Sequence, residues 1–294
     1  MKRSIIAASA AVLLLSLAAC SGSNGDNASA SPPVTAGHSQ SAPAVETITP
    51  IPTPSPEPSA IASAVPSQQP SASPEDQPVA LAYKMNKAYR IVPIYKDKSP
   101  SKVVLLTFDD GPKEAATLDP ILDALDKHGA KAIFFVNGYR VKAHPELLEE
   151  IDARGQVIGN HSWDHIELGK QKADVIGKQI GDVQNIVKEV TGKTPVFFRP
   201  PFASSNDSVR QAVKDEGMLF MTWSNGSLDW DLSKVKREDR PQAVIDNVME
   251  QLHEGSNILM HELAWTAETL DNLLTQLEEK GYSFVDPNAI DVSF

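Results

Sequence analysis

From Val103 onward, short apolar runs alternate with longer segments of helical period, and that alternation points to a parallel β/α architecture. The predicted strands cover 103–108, 131–136, 156–160, 196–198, 218–223, 258–260 and 282–285. The predicted helices cover 115–128, 145–154 (with Gly155 as its C-terminal cap), 173–191, 206–216, 240–253 and 267–280. In 173–191 the residues Val175, Ile176, Ile180, Val183, Ile186 and Val187 recur at helical spacing. Residues 83–95 read as an opening strand or hairpin. Such a chain closes into a barrel or forms an open doubly wound sheet. No glycine-rich phosphate loop follows the first strand, which counts against a nucleotide-binding open sheet. In a barrel, polar residues at the strand C-termini gather on one face and build the site.

The N-terminal part has a different composition. Lys2-Arg3 precedes an apolar segment, Ile5 to Ala19, too short for a comfortable membrane span. Leu17-Ala18-Ala19-Cys20 resembles the lipobox of bacterial lipoproteins, which implies a signal peptide over 1–19 and lipid on Cys20. Residues 20–82 are rich in Ser, Pro and Ala, as in Pro50-Ile51-Pro52-Thr53-Pro54, and read as a disordered tether. The expected organisation is therefore signal peptide, tether, and one catalytic domain over 83–294. Cys20 is the only cysteine, so no intrachain disulfide is possible and the core must carry the stability. The formal charge is −11, with two basic and five acidic residues in 1–82, which leaves about −8 for the rest. There is no basic stripe or interleaving of aromatic and basic residues, so nucleic acid is not an expected partner. No coiled-coil pattern is present, and a monomer is expected.

Chemistry collects where the strands end. Asp109-Asp110-Gly111-Pro112 follows the first strand, then come Asn160-His161-Ser162-Trp163-Asp164-His165, Arg199-Pro200-Pro201-Phe202, Asp229-Trp230 and His261-Glu262. Successive strand side chains point to opposite faces, so Asp109 and Asp110 need different partners. Taken alone, Asp-Asp-Gly-Pro also reads as a turn capping the next helix. His161 and His165 are four apart, which on a helical turn places both imidazoles on one side, within reach of one cation. With Asp110 they make three ligands and an open position, the pattern of a catalytic metal centre. Zinc suits that donor set, and cobalt, nickel and manganese remain open.

Together, Thr107-Phe108-Asp109-Asp110-Gly111-Pro112, His161-Ser162-Trp163-Asp164-His165, Arg199-Pro200-Pro201-Phe202, Asp229-Trp230 and Leu259-Met260-His261 resemble the five ordered motifs of the polysaccharide deacetylases (carbohydrate esterase family 4, the NodB homology domain). The resemblance runs from about Lys102 to the C-terminus. It implies an α/β fold, a distorted (β/α) barrel of about seven parallel strands, and a hydrolase of linear amides that removes acetyl groups from polymeric sugars. It implies Asp109 as general base, His261 as general acid, and Arg199 as the group that orients the base. Asp229 becomes the carboxylate that tunes the set through Arg199 or His261. Trp230 and Leu259 would enclose the acetyl methyl, and the backbone N–H of Phe202 would donate to the oxyanion.

Two positions depart from the family pattern. Phe202-Ala203 stands where an aromatic and a glycine are common, and Gly226 where an acid is common. Neither removes a ligand or a proton-transfer group. The expected activity is removal of N-acetyl groups from N-acetylglucosamine-type residues of a cell-envelope polysaccharide, by an exported protein anchored through Cys20 to the outer face of the membrane. The alternatives are an O-acetyl esterase, a chitin or xylan deacetylase, a catalytically silent sugar-binding module, and a structural lipoprotein whose metal stabilises the fold.

Overall fold

The computed structural model describes residues 79–293. The signal peptide, Cys20 and nearly all of the tether lie outside the described residues.

A short antiparallel hairpin, β1 (Tyr83–Met85) and β2 (Ile91–Pro93), opens the described chain, and β11 (Ile290–Asp291) pairs in parallel with β1. The main sheet is entirely parallel. It is built from β3 (Val103–Gly111), β4 (Ala132–Val136), β5 (Val157–Asn160), β6 (Phe197–Phe198), β7 (Leu219–Phe220), β8 (Asn225–Gly226) and β9 (Ser256–His261), in the order β7-β6-β5-β4-β3-β9-β8. A further short strand, β10 (Ser283–Phe284), pairs with the start of β3. Seven strands form a curled, partly open barrel with helices around it. These are α1 (Ala115–Lys127), α2 (Gly138–Ala143), α3 (Pro145–Ala153), α4 (Ala173–Thr191), α5 (Asp207–Asp215), α6 (Arg240–Glu250) and α7 (Ala264–Glu279).

The seven strands are not quite the seven predicted. Residues 218–223 form only the two-residue β7, and β8 is added, whereas 282–285 supplies β10 beside the main path. Asn225-Gly226 carries no apolar signal, and its pairing with Ile258 and Leu259 of β9 makes it a strand. Helix α2 is also unpredicted. It has six residues, starts on glycine, and offers no apolar period.

Strand alternation separates two cores. On β3, Val104, Leu106 and Phe108 point outward, where they meet Leu118 of α1, Val248 of α6 and Leu273 of α7. Val103 and Leu105 point inward, beside Ile133 and Phe135 of β4, Phe197 of β6 and Met221. The small sheet covers this inner core through Tyr83, Ile91 and Ile290. Each such buried side chain stabilises the fold by roughly 1.5–3 kcal/mol relative to exposure. The barrel floor is therefore apolar, and only the C-terminal mouth is left for polar groups. Thr107 and Asp109 continue the inward row of β3 at that mouth.

Gly159 of β5 makes room for the inner core. A methyl group there would lie 2.5 Å from Cδ1 of Phe135 and 3.0 Å from Cγ2 of Ile133. Gly159→Ala is expected to destabilise by about 1–3 kcal/mol through overpacking. At about 2–4 °C per kcal/mol for a domain of this size, thermal unfolding will show the loss.

Candidate active site at the barrel mouth

Asp109 is buried, and its Oδ1 accepts a hydrogen bond from Nη1 of Arg199 at 2.7 Å. Arg199 follows β6 and is fully buried. Its Nη1 also donates to Oγ1 of Thr107 at 2.8 Å, and Nη2 donates to the Thr222 carbonyl at 2.9 Å and to Oδ1 of Asn257 at 3.2 Å. The guanidinium lies 4.4 Å from the centroid of the Phe135 ring, so the inner core also serves as its platform. Burial lowers the Arg199 pKa, and the charge and hydrogen bond of Asp109 oppose that shift.

Strict alternation would send Asp110 to the outer face. Instead the register of β3 against β4 shifts between Asp109 and Gly111, and Asp110 takes a left-handed conformation with φ 67°. Such a bulge re-aims a side chain, and both carboxylates line the same cleft. Oδ1 of Asp110 lies 3.4 Å from Nε2 of His161 and 3.1 Å from Nε2 of His165. Burial pushes the Asp110 carboxyl up, but the two imidazoles facing it outweigh burial and hold it well below the usual carboxylate range.

The two histidines are not on a helical turn. His161 to Asp164 run as a loop after β5, with Ser162 at φ 65° and His165 at φ 54°. Side-chain amides hold that loop in place of helical hydrogen bonds. Asn137 Nδ2 donates to the His161 carbonyl at 2.9 Å, and Oδ1 of Asn160 accepts the Ser162 N–H at 3.0 Å. Gln179 of α4 accepts the Asp164 N–H at 2.8 Å and donates to Oδ2 of Asp164 at 2.6 Å. The Trp163 ring lies against Gly138, where a Cβ would come within 2.1 Å of it.

The donor set fits a divalent cation. Nδ1 of His161 lies 2.7 Å from the Arg199 carbonyl, which can only accept, so that nitrogen carries the proton and Nε2 presents a lone pair. That lone pair faces Oδ1 of Asp110, a buried oxygen that completes no hydrogen bond. One ligand atom from each of Asp110, His161 and His165 lies within 4.8 Å of the other two. A cation among them would satisfy all three and keep a position open.

Across the mouth, His261 ends β9. Its Nδ1 lies 2.8 Å from Oδ1 of Asp229, and its backbone N–H donates to Oδ2 of Asp229 at 2.7 Å. Thr266 Oγ1 donates to the same Oδ2 at 2.7 Å, and Nε1 of Trp265 donates to the Asp229 carbonyl at 2.9 Å. Of the two routes open to Asp229, its side chain takes the one to His261. Burial acts against the charged imidazole, but the hydrogen bond and charge of Asp229, with the charges of Asp109 and Asp110, raise the His261 pKa overall.

Asp109, Asp110, His161, His165 and His261 line a cleft of about 390 Å³, together with Pro200, Phe202, Trp223, Trp230 and Leu259. Leu259 is buried, whereas Trp230 and Phe202 are exposed at the rim. Trp230 packs edge-on against both Trp223 and His261. Phe202 and Ala203 are both left-handed, at φ 57° and 53°. Ala203 thus holds a conformation that glycine adopts without strain, at a typical cost of about 1 kcal/mol.

All ten sequence-predicted site residues meet at this mouth. The sequence reading assigned no role to Asn257, Thr222, Thr266, Gln179 or Trp223. Gln179 and its neighbour Gln184 could have been found, because both are amides on the buried stripe of α4.

Residues 96–221 match the polysaccharide deacetylase family, a match that ends before Asp229 and His261. Over 192 residues, 65% of its length, the chain is 33% identical to the peptidoglycan-N-acetylmuramic acid deacetylase PdaA of Bacillus subtilis, of which it covers 72%. The chain belongs to the polysaccharide deacetylase family. It is also 37% identical over 185 residues to the peptidoglycan-N-acetylmuramic acid deacetylase PdaC of B. subtilis, covering 63% of this chain but only 38% of that relative. Among solved structures, a CE4-family pseudoenzyme from Bacillus anthracis superposes with a TM-score of 0.58 at 31% identity, covering 62% of this chain and 63% of that one.

Addition of Zn²⁺ is expected to raise the melting temperature, by the equivalent of about 2.7 kcal/mol at a hundredfold excess over Kd. His165→Ala should abolish most of that rise; an equal rise in the variant would place the cation elsewhere.

Proposed function

We propose that this chain is a metal-dependent deacetylase of an N-acetylated cell-envelope polysaccharide, with peptidoglycan as its first candidate substrate. One observation carries the reading. A single cleft holds an arginine-paired carboxylate, a carboxylate-backed imidazole and a three-residue cation site, with exposed aromatic rings at its rim. The names of the curated relatives support the substrate class.

Hydrolysis of an acetamide needs a nucleophilic water, stabilisation of the carbonyl oxygen as it gains charge, and a proton for the departing amine. A divalent cation on Asp110, His161 and His165 would supply Lewis acidity for the first two. Asp109, aimed by Arg199, takes the proton from water as the new C–O bond forms. His261 gives its Nε2 proton to the amide nitrogen as the C–N bond breaks, and acetate and a free amine leave. Asp229, on Nδ1, fixes the tautomer and favours the imidazolium that this step consumes. Trp230 and Leu259 form the apolar wall beside the acetyl methyl, and Phe202 and Trp230 offer faces for sugar rings at the rim. Export and a lipid anchor at Cys20 would place this cleft beside the envelope polymer. No helix among the described residues is long and apolar enough to cross a membrane.

The test is acetate release from peptidoglycan and N-acetylglucosamine oligomers, with and without added Zn²⁺ or Co²⁺. Metal-dependent release that Asp109→Asn abolishes supports the reading. No release from any polymer, with cation bound and fold intact, overturns it in favour of a sugar-binding module, the reading that the pseudoenzyme neighbour keeps open. The pH profile gives a second check. His261 must be protonated to act as the acid, so activity falls as pH rises through its pKa. Asp229→Asn removes the group that raises that pKa, and the alkaline limb is expected to move to lower pH. His261→Ala should lower kcat by about 10²–10⁴-fold.

A further inference from the structure

Glu262 lies next to the proposed acid, His261, yet takes no part in the chemistry derived above. It is one of the most deeply buried charged side chains, with 1% of its surface exposed. Its Oε2 accepts the backbone N–H of Lys113 at 2.8 Å, and its Oε1 is buried without a hydrogen-bond partner. The carboxyl group also packs on the bulge of β3: a Cβ on Gly111 would lie 2.9 Å from Oε2. A buried carboxyl with one unpaired oxygen is costly, and its one hydrogen bond goes to the turn that follows Asp110.

That turn needs support. Asp110 is a non-glycine residue in a left-handed conformation, which persists only when its surroundings over-determine it. Two hydrogen bonds flank it. The Gly111 carbonyl accepts the Asn137 N–H at 3.0 Å, and the Lys113 N–H goes to Glu262. We propose that Glu262 is a positioning residue that braces the Asp110 bulge against the end of β9, and thereby sets the affinity of Asp110, His161 and His165 for a divalent cation. This rests on the reading of those three residues as a metal centre.

The useful property of Glu262 is its accepting oxygen rather than its charge. Burial, opposed by the Lys113 hydrogen bond and by the charges of Lys113 and Arg140, raises its pKa to about 7. A neutral amide oxygen in the same place can accept the same N–H. The residues that hold a metal ligand in position typically change metal affinity 10–100-fold when removed.

The experiment is Co²⁺ titration of the full chain, followed by the visible absorption of the bound ion, for the wild type, Glu262→Gln, Glu262→Leu and Glu262→Asp. Near-ultraviolet circular dichroism confirms the fold of each. Glu262→Gln should stay within about threefold of wild type, whereas Glu262→Leu, which removes the acceptor of the Lys113 N–H, should lose 10–100-fold. Glu262→Asp keeps the carboxyl group but withdraws the oxygen by one methylene, and should weaken binding several-fold even if Glu262→Leu does not fold. Leu118→Ala, a core truncation on α1, controls for loss of stability alone and should leave affinity unchanged. Wild-type affinity in both Glu262→Leu and Glu262→Asp, or equal losses in Glu262→Gln and Glu262→Leu, overturns the brace while leaving the metal centre intact. Absence of Co²⁺ binding by the wild type overturns the metal reading, and the brace with it.

Discussion

Arg199 is fully buried, and the mouth of the barrel is arranged around the partners of its two Nη groups. Its guanidinium engages Asp109, Thr107, the Thr222 carbonyl and Asn257, and stacks on Phe135. These groups come from β3, β4, β9 and the segment after β7, so one side chain ties together strands that neighbour each other only through the sheet. A buried ion pair is weak support for stability, because desolvation offsets most of its attraction, but loss of one partner typically costs about 3–5 kcal/mol. Its value here is positional. Asp109 cannot rotate toward bulk water without leaving the arginine unpaired, so the carboxylate stays aimed into the cleft. The Arg199 carbonyl also fixes the His161 tautomer. The backbone and side chain of one residue thus orient both the proposed base and a proposed metal ligand.

The rest of the site is built against the preferences of its own backbone. Asp110, Ser162, His165, Phe202 and Ala203 all have positive φ, and each lines the cleft or adjoins a residue that does. A regular strand cannot turn two consecutive carboxylates toward one point, and the segment from His161 to His165 brings its histidines together without forming a helical turn. The left-handed residues allow both, at a cost the barrel has to carry. The floor of large apolar side chains below and the amides of Asn137, Asn160 and Gln179 beside it hold them there. Departure from regular structure is therefore concentrated at the mouth and nearly absent from the floor.

This explains which parts were legible in the sequence. Helix α4 was readable to both ends, because its apolar stripe is regular and Gly192 stops it in a left-handed cap. Strand β3 was readable as buried because Val103 to Leu106 is apolar throughout. The site residues were legible as types at strand ends, because their chemistry is poorly explained by folding. Their geometry was not. Alternation places Asp110 on the wrong face, and the spacing of His161 and His165 reads as a helical turn that does not form. Asn257 and Thr222 were silent because what defines them is a contact with Arg199, across sequence separations that carry no local pattern. Strand β8 was silent for the same reason: only its partner β9 makes Asn225-Gly226 a strand.

Charge in the cleft is sorted by pairing rather than by burial alone. A cation stands behind Asp109, a carboxylate stands behind His261, and two imidazoles face Asp110. Asp109, His161 and His261 each have a fixed partner on the side away from the cleft, and the reactive atom of each is left facing inward. Asp109 and His261 thus sit in opposite surroundings, one beside a cation and the other beside a carboxylate. The two partners are themselves anchored by uncharged donors and acceptors, Thr107 and Asn257 for Arg199 and Thr266 for Asp229. The arrangement allows the rim to vary, at Phe202 or Ala203, without disturbing the groups that would do the chemistry, since neither supplies a hydrogen bond to Arg199 or a side-chain contact to Asp229.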